Sequence, residues 1–178
     1  MRRFAARSSV RLETMRLRLV HLAYRIAWRL LWLTSPLHHG RGAGVKAILS
    51  HEGRVLLVLH TYGPRRWELP GGGLHRHEEP LDGIRREIRE ELAVELDEPR
   101  LVAYGCGSGR QRKRVISVFA AELDSDQLTP DGGEIERAEW YDPRQLPARL
   151  GWQVAAGLDA WAHGDRAAPV QLPARAAA

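Results

Sequence analysis

The chain has 178 residues, of which 44% are hydrophobic, enough for one globular domain with an appendage. Its one cysteine, Cys106, excludes an internal disulfide and a zinc-ligand cluster, and fits a reducing, cytoplasmic setting. The net charge of +5 is unevenly placed: residues 1–41 hold nine arginines and one acid, Glu13, giving +8, while the rest holds 18 basic and 21 acidic residues, giving −3.

Val10 to Thr34 reads as one helix. Leu12, Met15, Leu19, Leu22, Ile26, Leu30 and Leu33 recur at steps of three and four, the pattern of an amphipathic stripe. Arg11, Arg18, Arg25 and Arg29 lie largely off that stripe, with Trp28 and Trp32 near its end. Pro36 stops the helix. The arginines interrupt the apolar run well short of the ~20 residues that a bilayer core requires. No small-residue cleavage site follows it either. Three readings stay open for this arm. It packs on the body or on a second subunit as a homodimer contact, it lies in an anionic membrane surface with its arginines at the headgroups, or it is a targeting segment. Binding of specific nucleic acid suits it less, because the apolar stripe is too broad for a solvated basic arm. The expected location is therefore cytoplasmic, with a peripheral membrane contact through residues 10–34 as an option.

After the linker His38–Gly42, strand and helix patterns mix. Val45–Ser50 and Arg54–His60 are apolar runs around His51-Glu52-Gly53, a hairpin signal. Trp67–Leu69 is a short strand. Glu79–Leu92 is helical, with Ile84, Ile88 and Leu92 on its inner face. Leu101–Gly105, Val115–Leu123 and Ala138–Tyr141 read as strands, Arg144–Leu146 as a short turn of helix, and Trp152–His163 as a final helix. The alanine- and proline-rich tail, 164–178, reads as disordered. The domain proper is thus 42–163, and the pattern predicts an α/β sandwich: a mixed sheet with helices on both faces.

The chemistry is concentrated in Gly72–Val94, GGLHRHEEPLDGIRREIREELAV. Glu87 stands three residues from Glu90 and four from Glu91, so all three leave one side of the helix. A solvated charged face is the usual meaning of such a run. The glycines Gly71, Gly72 and Gly73 ahead of it change that reading, because backbone and carboxylates then converge on one point. Crowded carboxylates call for a cation, and hard oxygen donors select Mg²⁺, Mn²⁺ or Ca²⁺.

This stretch resembles the signature of the Nudix hydrolases: Gly72, five residues, Glu78, seven residues, Arg86-Glu87, an aliphatic, any residue, Glu90-Glu91, any residue, a small residue, an aliphatic. Ala93 stands where the family has glycine. Weaker similarity runs from about Gly42 to Pro147. The resemblance implies a Nudix-type α/β/α sandwich and metal-dependent hydrolysis of a diphosphate bond. The bond would lie within a small nucleotide-type substrate, a nucleoside diphosphate linked to another moiety such as a sugar or ADP-ribose. Mg²⁺ is the implied cofactor, with Mn²⁺ as the alternative. The metal would be held by the Gly71 carbonyl and by Glu87, Glu90 and Glu91. Glu134 is the best further ligand, with Glu136 behind it. Glu91 is the first choice for joint ligand and base, beside Glu90. Arg86, paired with Glu78, would orient the ligands, and Gly72 has a structural role in the box.

Arg110, Arg112 and Arg114 form, with Lys113, a basic cluster that is either a solvated hairpin tip or a clamp for substrate phosphate. His75 and His77 read as exposed loop residues, and Trp67 and Tyr62 as core aromatics or stacking partners for a base. A non-catalytic Nudix-fold binding or regulatory module remains the alternative to an enzyme.

Overall fold

The computed structural model describes Ala23 and residues 42–109, 112–163 and 169–172, with the backbone alone for 106–109 and 112–114. The predicted N-terminal helix therefore falls, apart from Ala23, outside the described residues, as does Arg110.

Seven strands form one mixed sheet: β1 Ala43–His51, β2 Arg54–His60, β3 Trp67–Glu68, β4 Arg100–Gly109, β5 Arg112–Glu122, β6 Ile135–Tyr141 and β7 Val170–Gln171. Two helices cover it, α1 Pro80–Leu92 and α2 Trp152–His163. The order is β3-β2-β1-β5-β4-β7, with β6 on the other side of β2. β1 and β5 run parallel over eight paired residues. Among the described residues no helix is long and apolar enough to cross a membrane.

Side chains alternate along a strand, and both faces of this sheet are covered, so β1 and β2 are apolar almost throughout. Val45, Ala47, Leu49, Leu56 and Val58 pack beneath α1 with Ile84, Ile88 and Leu92, all three of which are fully buried. At about 2 kcal/mol per buried aliphatic side chain, those three hold α1 to the sheet by roughly 6 kcal/mol. Ile48, Val55 and Leu57 face the other way and meet Val154, Leu158 and Ala160 of α2.

The functional region arises where the sheet splits. β1 and β2 pair only beside their hairpin, at Ser50↔Val55 and His51↔Arg54. Beyond that point the same edge of β2 turns to β3, while β6 runs along its other edge from Val55 to His60. The chain leaving β3 fills the opening: Val45 N–H donates to Gly72 O at 3.0 Å and Ala47 N–H to Pro70 O at 2.9 Å. Gly71 sits between these two bonds with φ +114°, and a Cβ there would lie 2.5 Å from Val45 O. Only glycine suits that position.

Two expectations change. Residues 143–145 form a turn, with Gln145 N–H on Asp142 O at 2.8 Å, and not a turn of helix. The tail is not wholly disordered. Val170–Gln171 adds a parallel strand to β4, Leu172 is 3% exposed, and its N–H reaches Tyr104 O at 2.7 Å. One buried leucine suffices to fix a segment whose composition reads as linker.

Candidate active site

Helix α1 starts at Pro80, where a missing N–H costs nothing. It ends at Ala93, which takes left-handed angles (φ 56°, ψ 36°) and donates to Arg89 O at 3.0 Å. The last carbonyls of the helix are met by a distant loop: Thr129 N–H bonds Leu92 O and Asp131 N–H bonds Glu91 O, each at 3.0 Å. Asp131 Oδ1 then accepts from the N–H groups of Gly133, Glu134 and Ile135. Thr61, just past β2, fastens the same loop through Oγ1 to Gly133 O (2.8 Å) and N–H to Glu134 O (2.9 Å). This scaffold carries Glu134 to the helix end, as the sequence reading required. Glu136 goes elsewhere, into an ion pair with Arg65.

Arg86 is the hub on the outer side. Its Nε and Nη2 grip the two oxygens of Glu78 at 2.7 and 2.9 Å, and Nη2 also donates to Gly73 O at 3.0 Å. Nη1 donates to Glu87 Oε1 at 2.9 Å and Glu90 Oε2 at 3.1 Å. Glu78 further accepts from His75 N–H at 2.7 Å, and the Arg86 bonds and this one hold its carboxyl at about 2. The predicted Glu78–Arg86 pair is thus present and ties the glycine loop to the helix. Gly72 has a matching role: a Cβ there would meet the Glu87 carboxylate at 2.5 Å.

Glu91 differs from its neighbours. It is 4% exposed, and its Oε2 accepts from Gly71 N–H at 2.7 Å. Burial pushes its pKa up to about 7; Lys46 and the Gly71 N–H pull it back, while Glu87 and Glu134 add to the rise. Glu134, half-buried, is raised by burial and then by Asp131 and Glu87, against a hydrogen bond from Tyr62. The Tyr62 phenol is itself raised by burial and by Glu134, Glu91, Glu87 and Glu68. Of these four, Glu134 is the one hydrogen-bonded to the Tyr62 hydroxyl.

Three contributors escaped the sequence reading. Lys46, 12% exposed, donates to the Gly71 carbonyl and lies 3.7 Å from Glu68 Oε2. The carbonyl that the resemblance assigned to the metal accepts from this ammonium in this structure. A lone lysine within the apolar run of β1 was the available signal. Tyr62 serves Glu134 and is not core filler. His60 is neutral, its pKa lowered to about 3 by burial and by Lys46, and its Nδ1 is buried without a partner among the described residues. Trp67 is occupied, edge-on to Tyr141 at 5.3 Å and beneath Arg137 at 5.2 Å. His75 is exposed, as expected. Arg112 and Arg114 lie near the tip of the β4–β5 hairpin, opposite Gly109 and Gly107; their side chains are outside the description.

Among the described residues no three acids or histidines are already gathered as a metal cage. The donor set nonetheless suits a hard divalent cation. Glu87, Glu90, Glu91 and Glu134 are oxygen donors, and the inner two are raised by burial and by their neighbours' charge.

The NUDIX domain profile matches residues 38–162. An RNA pyrophosphohydrolase of Bartonella henselae is 32% identical over 143 residues, covering 64% of this chain and 82% of that protein. A MutT-like protein of Streptomyces ambofaciens is 30% identical over 115 residues, 65% of this chain and 71% of its own. The crystal structure of a MutT NUDIX hydrolase from Burkholderia pseudomallei superposes with a TM-score of 0.62 at 25% identity, over 66% of this chain and 95% of the other. The chain belongs to the NUDIX family, as a hydrolase of pyrophosphate bonds. The enzyme is therefore retained over the non-catalytic module.

Proposed function

We propose that the protein splits the diphosphate bond of a nucleoside diphosphate linked to a second moiety, with Mg²⁺ or Mn²⁺ held by Glu87, Glu90, Glu91 and Glu134. The second moiety could be a sugar, ADP-ribose or the remainder of an RNA chain. Relatives named RNA pyrophosphohydrolase support the last of these. The observation that carries the reading is Glu91: buried, fixed by the Gly71 N–H and raised to about 7. A buried carboxylate so raised is where a divalent cation gains most, and an oxygen left off the cation would take a proton from water.

The cation supplies charge neutralisation at the diphosphate oxygens and lowers the pKa of the attacking water. The protein's own groups do the rest. Glu91 takes the proton. Arg86 restrains Glu87 and Glu90. Tyr62 holds Glu134. The Ala47 N–H on Pro70 O keeps the Pro70–Gly71 peptide turned so that its N–H meets Glu91, and Lys46 holds the next carbonyl, that of Gly71. In-line displacement at phosphorus asks mainly for such positioning and electrostatics.

The test is a panel of nucleotide sugars, ADP-ribose, dinucleoside polyphosphates, nucleoside triphosphates and 5′-triphosphorylated RNA, with each metal. On the substrate found, Glu91→Gln should lower kcat by about three orders of magnitude or more, a loss of at least ~4 kcal/mol of transition-state stabilisation, with the fold intact by circular dichroism. Full activity in that variant would overturn the assignment.

A further inference from the structure

Outside the carboxylate cluster, the feature that the reaction does not yet use is a groove at the β3 edge of the sheet. It encloses about 470 Å³ and is lined by Pro64, Arg65, Arg66, Ala148, Arg149 and Leu150. Three of six lining residues are arginines and none is acidic, although the body of the chain, beyond residue 41, carries a net −3. Glu136 neutralises Arg65 through a two-bond ion pair, one bond being 2.8 Å. Arg66 and Arg149 are exposed and have no ion pair or side-chain hydrogen bond among the described residues.

The two walls are not loose. Trp67 N–H donates to Arg149 O at 2.8 Å and Gly151 N–H to Trp67 O at 2.7 Å, with Trp67 and Leu150 bridged in parallel. Arg66 N–H closes on Pro64 O at 2.8 Å. Arg66 and Arg149 therefore project from backbone segments that are hydrogen-bonded to each other. Paired, uncompensated guanidinium groups on a fixed backbone recognise phosphate, because each presents a planar fork of donors.

The groove is also close along the chain to the glycine loop of the active site. Five residues separate Arg66 from Gly71, at most about 17 Å of extended chain. A stacked nucleic acid strand rises about 3.4 Å per nucleotide. The groove is thus no more than about five stacked nucleotides from the glycine loop. Trp67 is already engaged on both sides, so it offers no stacking platform, and recognition there would be through phosphate and independent of sequence.

We infer that Arg66 and Arg149 form a subsite for the phosphodiester backbone of an oligonucleotide whose 5′ diphosphate group lies at the carboxylates. This rests on the reading above and deepens it: the moiety beyond the scissile diphosphate is a polynucleotide chain. It also departs from the sequence-based expectation of no nucleic-acid partner, which concerned the N-terminal arm.

The full-length protein is to be assayed on 5′-triphosphorylated RNA from mononucleotide to octanucleotide. KM should fall with length by about tenfold, and the Arg66→Gln/Arg149→Gln double variant should lose that gain while keeping its mononucleotide kcat/KM. The salt slope of binding should drop by about 1.4, two single-strand phosphate contacts at about 0.7 each. In parallel, fluorescence anisotropy with a 5′-hydroxyl octanucleotide, which cannot be hydrolysed, should show binding that the double variant loses. Hydrolysis without any length dependence, or a length dependence that survives in the double variant, overturns the subsite and leaves the catalytic reading standing. Arginine-dependent binding without hydrolysis at any length does the reverse.

Discussion

Glu78, Glu87 and Glu90 on one side, and Glu91 and Glu134 on the other, are acids within one small region, but their charge is met in different ways. The outer group shares the Arg86 guanidinium, which makes five hydrogen bonds to it and to Gly73 O. The inner pair has one backbone N–H, one phenol and the nearby Lys46. Glu78 consequently sits near 2 and Glu91 near 7. Glu78, gripped by the guanidinium on both oxygens, is architecture, while Glu87 and Glu90 are held by it at one oxygen each. Carboxylates that their surroundings push toward neutrality are where an added cation gains most.

The contrast breaks most visibly at Arg86. Arg86→Ala would leave Glu78, Glu87 and Glu90 without their common partner and free the glycine loop. A loss of about 2–4 kcal/mol of stability is expected, with tenfold or more weaker Mn²⁺ binding because the ligands lose their orientation. Urea melts and Mn²⁺ titration read the two effects. Arg86→Lys should recover only part, since an ammonium cannot fork onto both oxygens of Glu78 while holding Glu87. Unchanged stability in the alanine variant would mean that the outer acids do not depend on it.

The inner pair sets a pH dependence of unusual sign for an acid. Glu91 is raised from 4.5 to about 7 in the folded state. Between those values the folded protein keeps a proton that the unfolded chain has lost, so stability falls as pH rises. The effect is absent below about 4.5 and complete above about 7, and amounts to at most roughly 3 kcal/mol. In chelator, the wild type should lose melting temperature relative to Glu91→Gln from pH 5 to 8, and Mg²⁺ should close the gap. Parallel melting curves for the two proteins would remove the claim that Glu91 is under-neutralised.

How much of this was legible follows the distance between partners in the chain. The Glu78–Arg86 pair could be read because the two stand eight residues apart in the signature the chain resembles, while the bonds from Arg86 to Glu87 and Glu90 were not read. The two covering helices and the main strands could be read because burial on both faces leaves apolar runs. Lys46 meets Gly71 across 25 residues, and Thr61 reaches Gly133 across 72. No local period records such pairings; they exist only after β1 and β2 diverge and Gly71 enters the gap. Glu134 was chosen for a loop that could reach the site, but what delivers it, Thr129 and Asp131 capping the end of α1 and Thr61 fastening the same loop, depends on tertiary contacts.

Tyr62 sharpens the comparison at smaller scale. Its hydroxyl is one of few groups that favour a charged Glu134. Tyr62→Phe deletes one hydrogen bond and keeps the ring that stacks 5.2 Å from His60. Mn²⁺ affinity should fall by about tenfold, the lower end for loss of a group that orients a ligand, while the urea midpoint shifts little. Restoring the affinity would require a donor at the same place. A Phe variant with wild-type Mn²⁺ binding would show that Glu134 needs no such help or is not a ligand.

The smallest effect lies at the helix end that both groups of acids share. Ala93 is the one departure from the family signature, and it occupies the left-handed region, φ 56°, where a Cβ is crowded by backbone. The strain is tolerated because the residue still closes the helix through its N–H to Arg89 O and is followed by Val94 packed against the core beneath α1. Glycine adopts the same angles without that strain, at a cost in unfolded-chain entropy. The net of the two terms should favour Ala93→Gly by about 1 kcal/mol, a rise of a few degrees in melting temperature. Neither kcat nor Mn²⁺ affinity should change, because no proposed ligand touches Ala93. A stabilised variant with altered metal affinity would mean that the strained cap helps to set the position of Glu91, only two residues away.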